Sequence, residues 1–200
     1  MALEVPQGLT LYFCRHGQTQ ANVEKRFSGY KDTPLTAQGR AQARAIGGIM
    51  KHQPGALALD YVCSPLARAR TTMEIVRETM GLVPNDYRVD ERLKEINLGL
   101  WDQLTDAEAR ALDPDLFDRR GADKWHVRVP QGENYAEVAG RAESWIASVK
   151  ADTFAVSHGA FTRILRGLFA GLDGQAMSAL DEPQGVVFRA RAREVERLDP

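Results

Sequence analysis

The sequence predicts an α/β fold: a three-layer, doubly wound, mostly parallel sheet with helices on both faces. Three observations carry this expectation. Short runs rich in β-forming residues alternate with helix-like segments along most of the 200 residues. Three of those runs end in turns dense with Arg, His and Ser. The composition, 44% hydrophobic and 26% charged, excludes a disordered or fibrous chain, and the length suits a single domain over residues 1–200.

The elements follow in order. Leu9 to Arg15 (LTLYFCR) reads as a strand. After a polar loop containing Gly29 and Pro34, Thr36 caps a helix over Ala37 to Met50. Leu59 to Cys63 is a second strand. Ser64 and Pro65 supply a cap and a first helical residue, and that helix runs to Met80, where Gly81 stops it. Tyr87 to Asp90 is a short third strand. The stretch from about 100 to 132 is expected to be irregular and to lie over the site. Within it, Thr105 to Leu112 is a helix ended by Pro114, and Asp118 to Pro130 is loop. Asn134 to Val149 is a helix with Val138, Ala142, Trp145 and Ile146 on one face. Asp152 to Ser157 is a strand, Gly159 to Phe169 a helix, and Val186 to Ala190 and Glu194 to Leu198 are closing strands.

Charge and cysteine usage narrow the function classes. Lys and Arg (26) nearly balance Asp and Glu (27), so there is no overall basic field to attract nucleic acid. Cys14 and Cys63 are too few for a disulfide framework and sit in apolar runs, as buried free thiols do. No apolar stretch approaches the ~18–20 residues of a membrane span. Met1 to Gly8 carries Glu4 and lacks the pattern of a signal peptide. The expectation is a cytoplasmic protein without a membrane or nucleic-acid partner. Oligomeric state is not legible.

The three loaded turns are Arg15-His16-Gly17, Ser64 to Arg68, and Ser157-His158-Gly159. If their strands are parallel, all three lie at the carboxyl edge of the sheet, where such folds bind ligands. Two arginines and two histidines then face one point near helix N-termini, a combination that suits a phosphate-sized anion. His52 and His126 lack this placement and read as surface residues. Familiar phosphate chemistries fail on spacing. The residue six after Cys14 is Gln20 and six after Cys63 is Ala69, so no Cys-x5-Arg cradle exists. No G-x-x-x-x-G-K-[ST] loop is present, no zinc-type Cys/His spacing occurs, and the Asp113-Pro114-Asp115 pair does not follow a strand. Imidazole remains as nucleophile. A leaving alkoxide also needs a proton donor, for which Glu91, Glu95 and Glu133 are candidates that position alone does not separate.

At this point the ordered set of residues resembles the histidine phosphatase superfamily, in its phosphoglycerate-mutase-like branch. The resemblance runs through Arg15-His16-Gly17-Gln18-Thr19, Asn22, Phe27 to Tyr30, Asp32 and Leu35-Thr36 with Gly39. It continues through Ser64-Pro65-Leu66, Arg68-Ala69, Thr72, Leu93, Glu95, Gly99, Trp101, Gly132-Glu133 and Ser157-His158-Gly159. It implies that His16 is the phosphorylated nucleophile. Arg15, Arg68 and His158 would hold the phosphoryl oxygens with help from Asn22, and Glu95 would be the general acid. Ser28 and Gly29 would touch the rest of the substrate, and no metal or other cofactor would be needed. The chain departs from the pattern in two places: Asp102-Gln103 stands where Glu-Gly is common, and Asn134 where Ser is common. Neither is expected to touch the phosphate pocket.

The resemblance implies hydrolysis of small phosphorylated metabolites, because the chain lacks the longer insertion with which mutases shield a phosphohistidine from water. A cofactor-dependent phosphoglycerate mutase is the alternative, favoured if Arg119, Arg120, Lys124 and Arg128 bind a second anion instead of forming a solvated loop. A non-catalytic phosphate-binding module ranks below both, since His16 and Glu95 are present. Arg189, Arg191 and Arg193 read as charge protecting an edge strand.

Overall fold

The computed structural model describes residues 3–200; Met1 and Ala2, part of the N-terminal reading above, lie outside them. Six strands form one mixed sheet: β1 (Leu11–Arg15), β2 (Asp60–Cys63), β3 (Arg88–Val89), β4 (Thr153–Ser157), β5 (Val187–Arg191) and β6 (Glu194–Leu198). Their order is β3-β2-β4-β1-β5-β6. The first four in that order run parallel, while β5 is antiparallel to β1 and β6 to β5. Strand β4, late in the chain, lies between β1 and β2. The order therefore reverses beside β1, where a crevice opens at the strand ends in folds of this kind.

Alternation along the strands sorts the core into two layers. Leu11, Phe13, Val62 and Ala155 face α6 (Tyr135–Ala147) and α7 (Gly159–Phe169). Tyr12, Cys14, Tyr61, Cys63, Phe154 and Val156 face α2 (Ala37–Lys51) and α3 (Ala67–Thr79). Cys14 and Cys63 flank the same β4 residue, Val156. They are therefore two strand spacings apart, about 9.6 Å, too far for a disulfide. Both are free and fully buried, and burial pushes both thiols up.

Three expectations need correction. First, Ser64 does not cap α3. The cap position is Leu66, with no side-chain bond. Asp32, from a distant loop, instead accepts from the free N–H groups of Ala67 and Arg68 at 2.7 and 3.3 Å. Second, the 100–132 stretch is not irregular throughout. Pro114 starts a helix as well as ending one: Asp113 closes α4 (Asp106–Leu112) and caps α5 (Pro114–Ala122) by accepting from Leu116 N at 2.9 Å. Residues 118–122, read as loop, are thus helical, because Asp-Pro is a start signal as much as a stop. Third, Arg189 and Arg191 lie on β5, which is covered by β6, and β6 is the edge. Arg189 pairs with Glu196 across those strands, and Arg193 pairs with Glu4. No helix among the described residues is long and apolar enough to cross a membrane.

Over the carboxyl edge of the sheet, α4 and α5 form a roof with its own small core of Trp101, Ala109, Leu116 and Val129.

Candidate active site

The three loaded turns meet because their strands are in register. Arg15 pairs with Ser157, and His16 N donates to Ser157 O at 3.0 Å. Ser64 N donates to Val156 O at 3.0 Å. The His16 and His158 rings stand edge to face with centroids 5.1 Å apart. Above them opens a cavity of about 480 Å³, lined by Arg15, His16, Asn22, Ser28, Glu95, Arg120, Lys124, Tyr135, Arg163 and Glu182, among others.

His16 Nδ1 lies 2.7 Å from Gly17 O, which can only accept, so the proton sits on Nδ1. The Nε2 lone pair is left free and accepts from Arg68 Nε at 3.2 Å. Burial, then Arg68 and Arg15, hold this imidazole well below its ordinary 6.5. It is neutral at neutral pH, as a nucleophile must be. His158 is likewise held low, by burial and then by Arg68. Its Nε2 meets Ser64 Oγ at 2.7 Å, and its Nδ1 has no partner. This is the use to which the sequence puts Ser64.

All five N–H bonds of Arg68 are committed. Besides Nε to His16, Nη1 donates to Asp32 Oδ1 (2.8 Å) and Lys31 O (3.2 Å), and Nη2 to Gly29 O (2.6 Å) and Ser28 O (3.2 Å). Gly29 thus serves Arg68 and not the open cavity. A Cβ there would meet Leu98 N at 2.9 Å, so the close approach requires glycine. Behind this loop stands Asp102, whose carboxylate accepts from the N–H groups of Gly29, Tyr30 and Lys31, each at 2.9 Å. Asp102 does not line the cavity, but it braces the loop whose carbonyls accept from Arg68. Asn22 Oδ1 accepts from Thr19 N and Gln184 Nε2, at 3.1 Å each, while Ser28 Oγ is buried without a partner.

Geometry separates the three carboxyl candidates. Glu91 pairs with Lys94 at the surface, and Glu133 is engaged by Arg141 and Asn97 N. Glu95 alone of the three lines the cavity, buried at 7% exposure. Its oxygens accept from Ile96 N (2.9 Å), Ala160 N (3.2 Å) and Phe161 N (3.3 Å), the last two in the first turn of α7. Burial, and next the charge of Glu182, push its carboxyl above the ordinary 4.5. Arg141, on the apolar side of α6, pins this segment by donating to the carbonyls of Arg92, Lys94 and Glu95 at 2.7, 2.6 and 2.9 Å. Sequence reading missed it, although it lies three residues from Val138 on the same helical face.

The basic segment splits. Arg119 pairs with Asp115, and Arg128 with Glu137, both exposed. Arg120 and Lys124 turn into the cavity. Arg120 is buried over the Trp101 ring with its Nε unpartnered. Burial and then Arg163 lower the proton affinity of Lys124. Arg163, Tyr135 and Glu182 also reach the cavity and were not singled out in the sequence.

Six buried side-chain polar atoms among the described residues lack a partner, and five belong here: Arg15 Nε, Ser28 Oγ, Arg120 Nε, His158 Nδ1 and Arg163 Nε. Native interiors leave few such atoms. Three of these are guanidinium N–H donors, which suit an acceptor such as a phosphoryl oxygen. No group of three or more His, Cys, Asp or Glu among the described residues is placed to hold a metal.

Comparison with known proteins agrees with this chemistry. A family model described as "Histidine phosphatase superfamily (branch 1)" matches residues 11–194. A relative from Escherichia fergusonii named "Probable phosphoglycerate mutase GpmB" is 36% identical over 149 residues, which is 70% of this chain and 62% of that protein. The alpha-ribazole phosphatase from Shigella flexneri superposes with a TM-score of 0.82 at 25% identity over 96% of each chain. The mycobacterial glucosyl-3-phosphoglycerate phosphatase, solved with VO3, superposes with a TM-score of 0.76 at 30% identity, covering 91% of this chain and 90% of that one.

Proposed function

Because this chain belongs to the histidine phosphatase superfamily, we propose that it hydrolyses small phosphomonoesters through a phosphohistidine formed on His16, without a metal. The observation that carries this is the placement of two unpartnered buried nitrogens, Arg15 Nε and His158 Nδ1, beside a neutral imidazole whose unprotonated Nε2 faces Arg68. In the first step His16 Nε2 forms a bond to phosphorus and the ester oxygen leaves with a proton from Glu95. In the second, the Glu95 carboxylate takes a proton from water, whose oxygen bonds phosphorus as the P–N bond breaks. Arg15, Arg68, His158 and Asn22 hold the phosphoryl oxygens, so catalysis is by position and charge. The Arg68 Nε–H, spent on His16 in the free protein, passes to a phosphoryl oxygen when one arrives. Ser28 faces the rest of the substrate. Two buried free thiols fit action in the reducing cytoplasm.

A second reading, phosphoryl transfer to another hydroxyl as in a phosphoglycerate mutase, draws on the distal cations. Arg120, Lys124 and Arg163 suit a second anionic group on the substrate. The compact spacing of 142 residues between His16 and His158, without the longer insertion that shields a phosphohistidine from water, weighs toward hydrolysis.

The test is phosphate release in EDTA from a panel of phosphomonoesters, with 3-phosphoglycerate primed by 2,3-bisphosphoglycerate in one arm. Release from several esters, lost in His16→Ala, is the expected result. Formation of 2-phosphoglycerate without release would establish the mutase instead. Activity lost in EDTA and restored by a divalent ion would overturn the metal-free mechanism.

A further inference from the structure

Glu182 lines the cavity, yet the chemistry proposed above gives it no bond to make and no phosphoryl oxygen to hold. Glu182 stands on the strap between α8 (Gly174–Ser178) and β5, at the rim of the phosphate cradle. Its backbone carbonyl accepts from Arg15 Nη1 at 2.7 Å. Its carboxylate lies 3.7 Å from the same Nη1 and 3.1 Å from Arg163 Nη2. Gly159, next to His158, makes room for it: a Cβ there would meet Glu182 Oε2 at 2.5 Å and Arg15 Nε at 3.2 Å. The carboxylate thus stands within 3.7 Å of a cradle arginine whose Nε has no hydrogen-bond partner.

The strap is fixed on both sides of Glu182. Asp181 is held by Arg166 and Arg197. Pro183 stiffens the next position, and Gln184 Nε2 donates to His16 O and Asn22 Oδ1 at 3.1 Å each. A carboxylate fixed here is costly for a site that binds anions. A structural role does not need it, since the Glu182 carbonyl already anchors Arg15 and Tyr135 Oη already accepts from Arg163.

Resting on the phosphatase reading for where the phosphoryl group lies, we propose that Glu182 is a further functional residue of this site. It bridges Arg15 and Arg163 in the free protein and opposes the phosphoryl group once that group is bound, which loosens the site's hold on the phosphate product. Two arginines, a helix N-terminus and several unpartnered donors would otherwise hold dianionic phosphate tightly. Tight binding of product slows turnover without stabilising the transition state. When phosphate leaves, Glu182 re-forms its pair with Arg15, so the arginine exchanges one anion for another and is never left bare.

The experiment uses the full chain and two variants. Glu182→Gln keeps the shape and the backbone carbonyl and removes the charge; Glu182→Asp keeps the charge. Binding of inorganic phosphate is measured by calorimetry with no ester present, and KM and kcat for a hydrolysed ester are measured in parallel. Removing one like charge a few ångströms from the phosphate should tighten phosphate binding about tenfold in Glu182→Gln, lower KM, and leave kcat equal or reduced. Glu182→Asp should stay within about twofold of the parent in phosphate affinity. Phosphate affinity unchanged or weakened in Glu182→Gln would overturn the proposal, as would equal shifts in both variants. Hydrolysis with unmoved phosphate affinity keeps the phosphatase and removes this role. Phosphate binding that tightens in a protein that hydrolyses no ester keeps the role and removes the phosphatase.

Discussion

The cradle at the strand ends and the α4–α5 roof face the same cavity, yet they draw their rigidity from different sources. Arg15, His16, Ser64 and His158 project from three parallel strands that are hydrogen-bonded in register and buried between two large apolar layers. The roof rests on four buried residues, with Trp101 stacked on Phe27 at 5.7 Å and tilted against Phe117 at 5.6 Å. The groups proposed to make and break bonds sit where displacement is most costly, and Arg120 and Lys124 hang from the part with least core. The lesson is that one scaffold can keep its chemistry fixed while its specificity is rebuilt from a small satellite core.

The largest effect should come from the cradle. His16→Ala should lower turnover at least about 10⁴-fold, because neighbouring cations do not replace a nucleophile. Single-turnover phosphate release checks it, and near-normal rates would end the assignment. Glu95→Gln should slow alkyl phosphates by about 10²- to 10⁴-fold, and aryl phosphates much less, since their leaving groups need little protonation. Equal losses would count against Glu95 as the acid. The pH profile sharpens the same point. Glu95 acts as acid only while protonated, and its carboxyl is raised above 4.5, so kcat/KM for alkyl esters should fall as pH rises through that raised value. His16 is held below 6.5, so the opposite fall, from protonating the nucleophile, should appear only in more acid solution. An aryl ester should show the acid fall and a weaker alkaline one.

The roof should respond differently. Trp101→Ala removes the centre of its core and should cost about 3–5 kcal/mol, measured by urea denaturation. In the folded variant, KM for organic esters should rise while affinity for inorganic phosphate stays within about threefold. A parallel loss of phosphate affinity would mean that roof and cradle are one unit. Asp102→Ala joins the two regions. Unpairing three N–H groups behind Arg68 should cost about 2 kcal/mol and lower kcat/KM even for small esters. The smallest effect is at Gln103, a non-glycine residue that holds φ at +77°. Gln103→Gly should stabilise the protein by about 1 kcal/mol, raising the melting temperature by a few degrees with activity unchanged.

Legibility in the sequence followed the same division. The helix Gly159–Phe169 and the strand Glu194–Leu198 were read to the residue, and the sheet was legible from the spacing of apolar runs. In the roof, Pro114 was read as a stop and not also as a start, because short helices on a small core have too few turns to show a period. Glu95 illustrates the middle case. Spacing alone left it level with Glu91 and Glu133, and only burial, with contacts from the first turn of α7, sets it apart.

By itself the sequence determined which residues end the parallel strands, since alternation and turn chemistry are local properties of the chain. It could name Arg15, His16, Arg68 and His158 as one group before any distance was known, whereas Ser64 reads there only as a cap. Tertiary structure alone decided what surrounds them. Asp32 caps α3 from 35 residues away, Asp102 braces the 29–31 loop from 73, and Glu182 reaches Arg15 across 167. Such partners are set by how the layers stack and where the strap between α8 and β5 crosses the sheet edge. A local pattern carries no record of that, because the energy of a long-range pair depends on distance in space and not on separation along the chain.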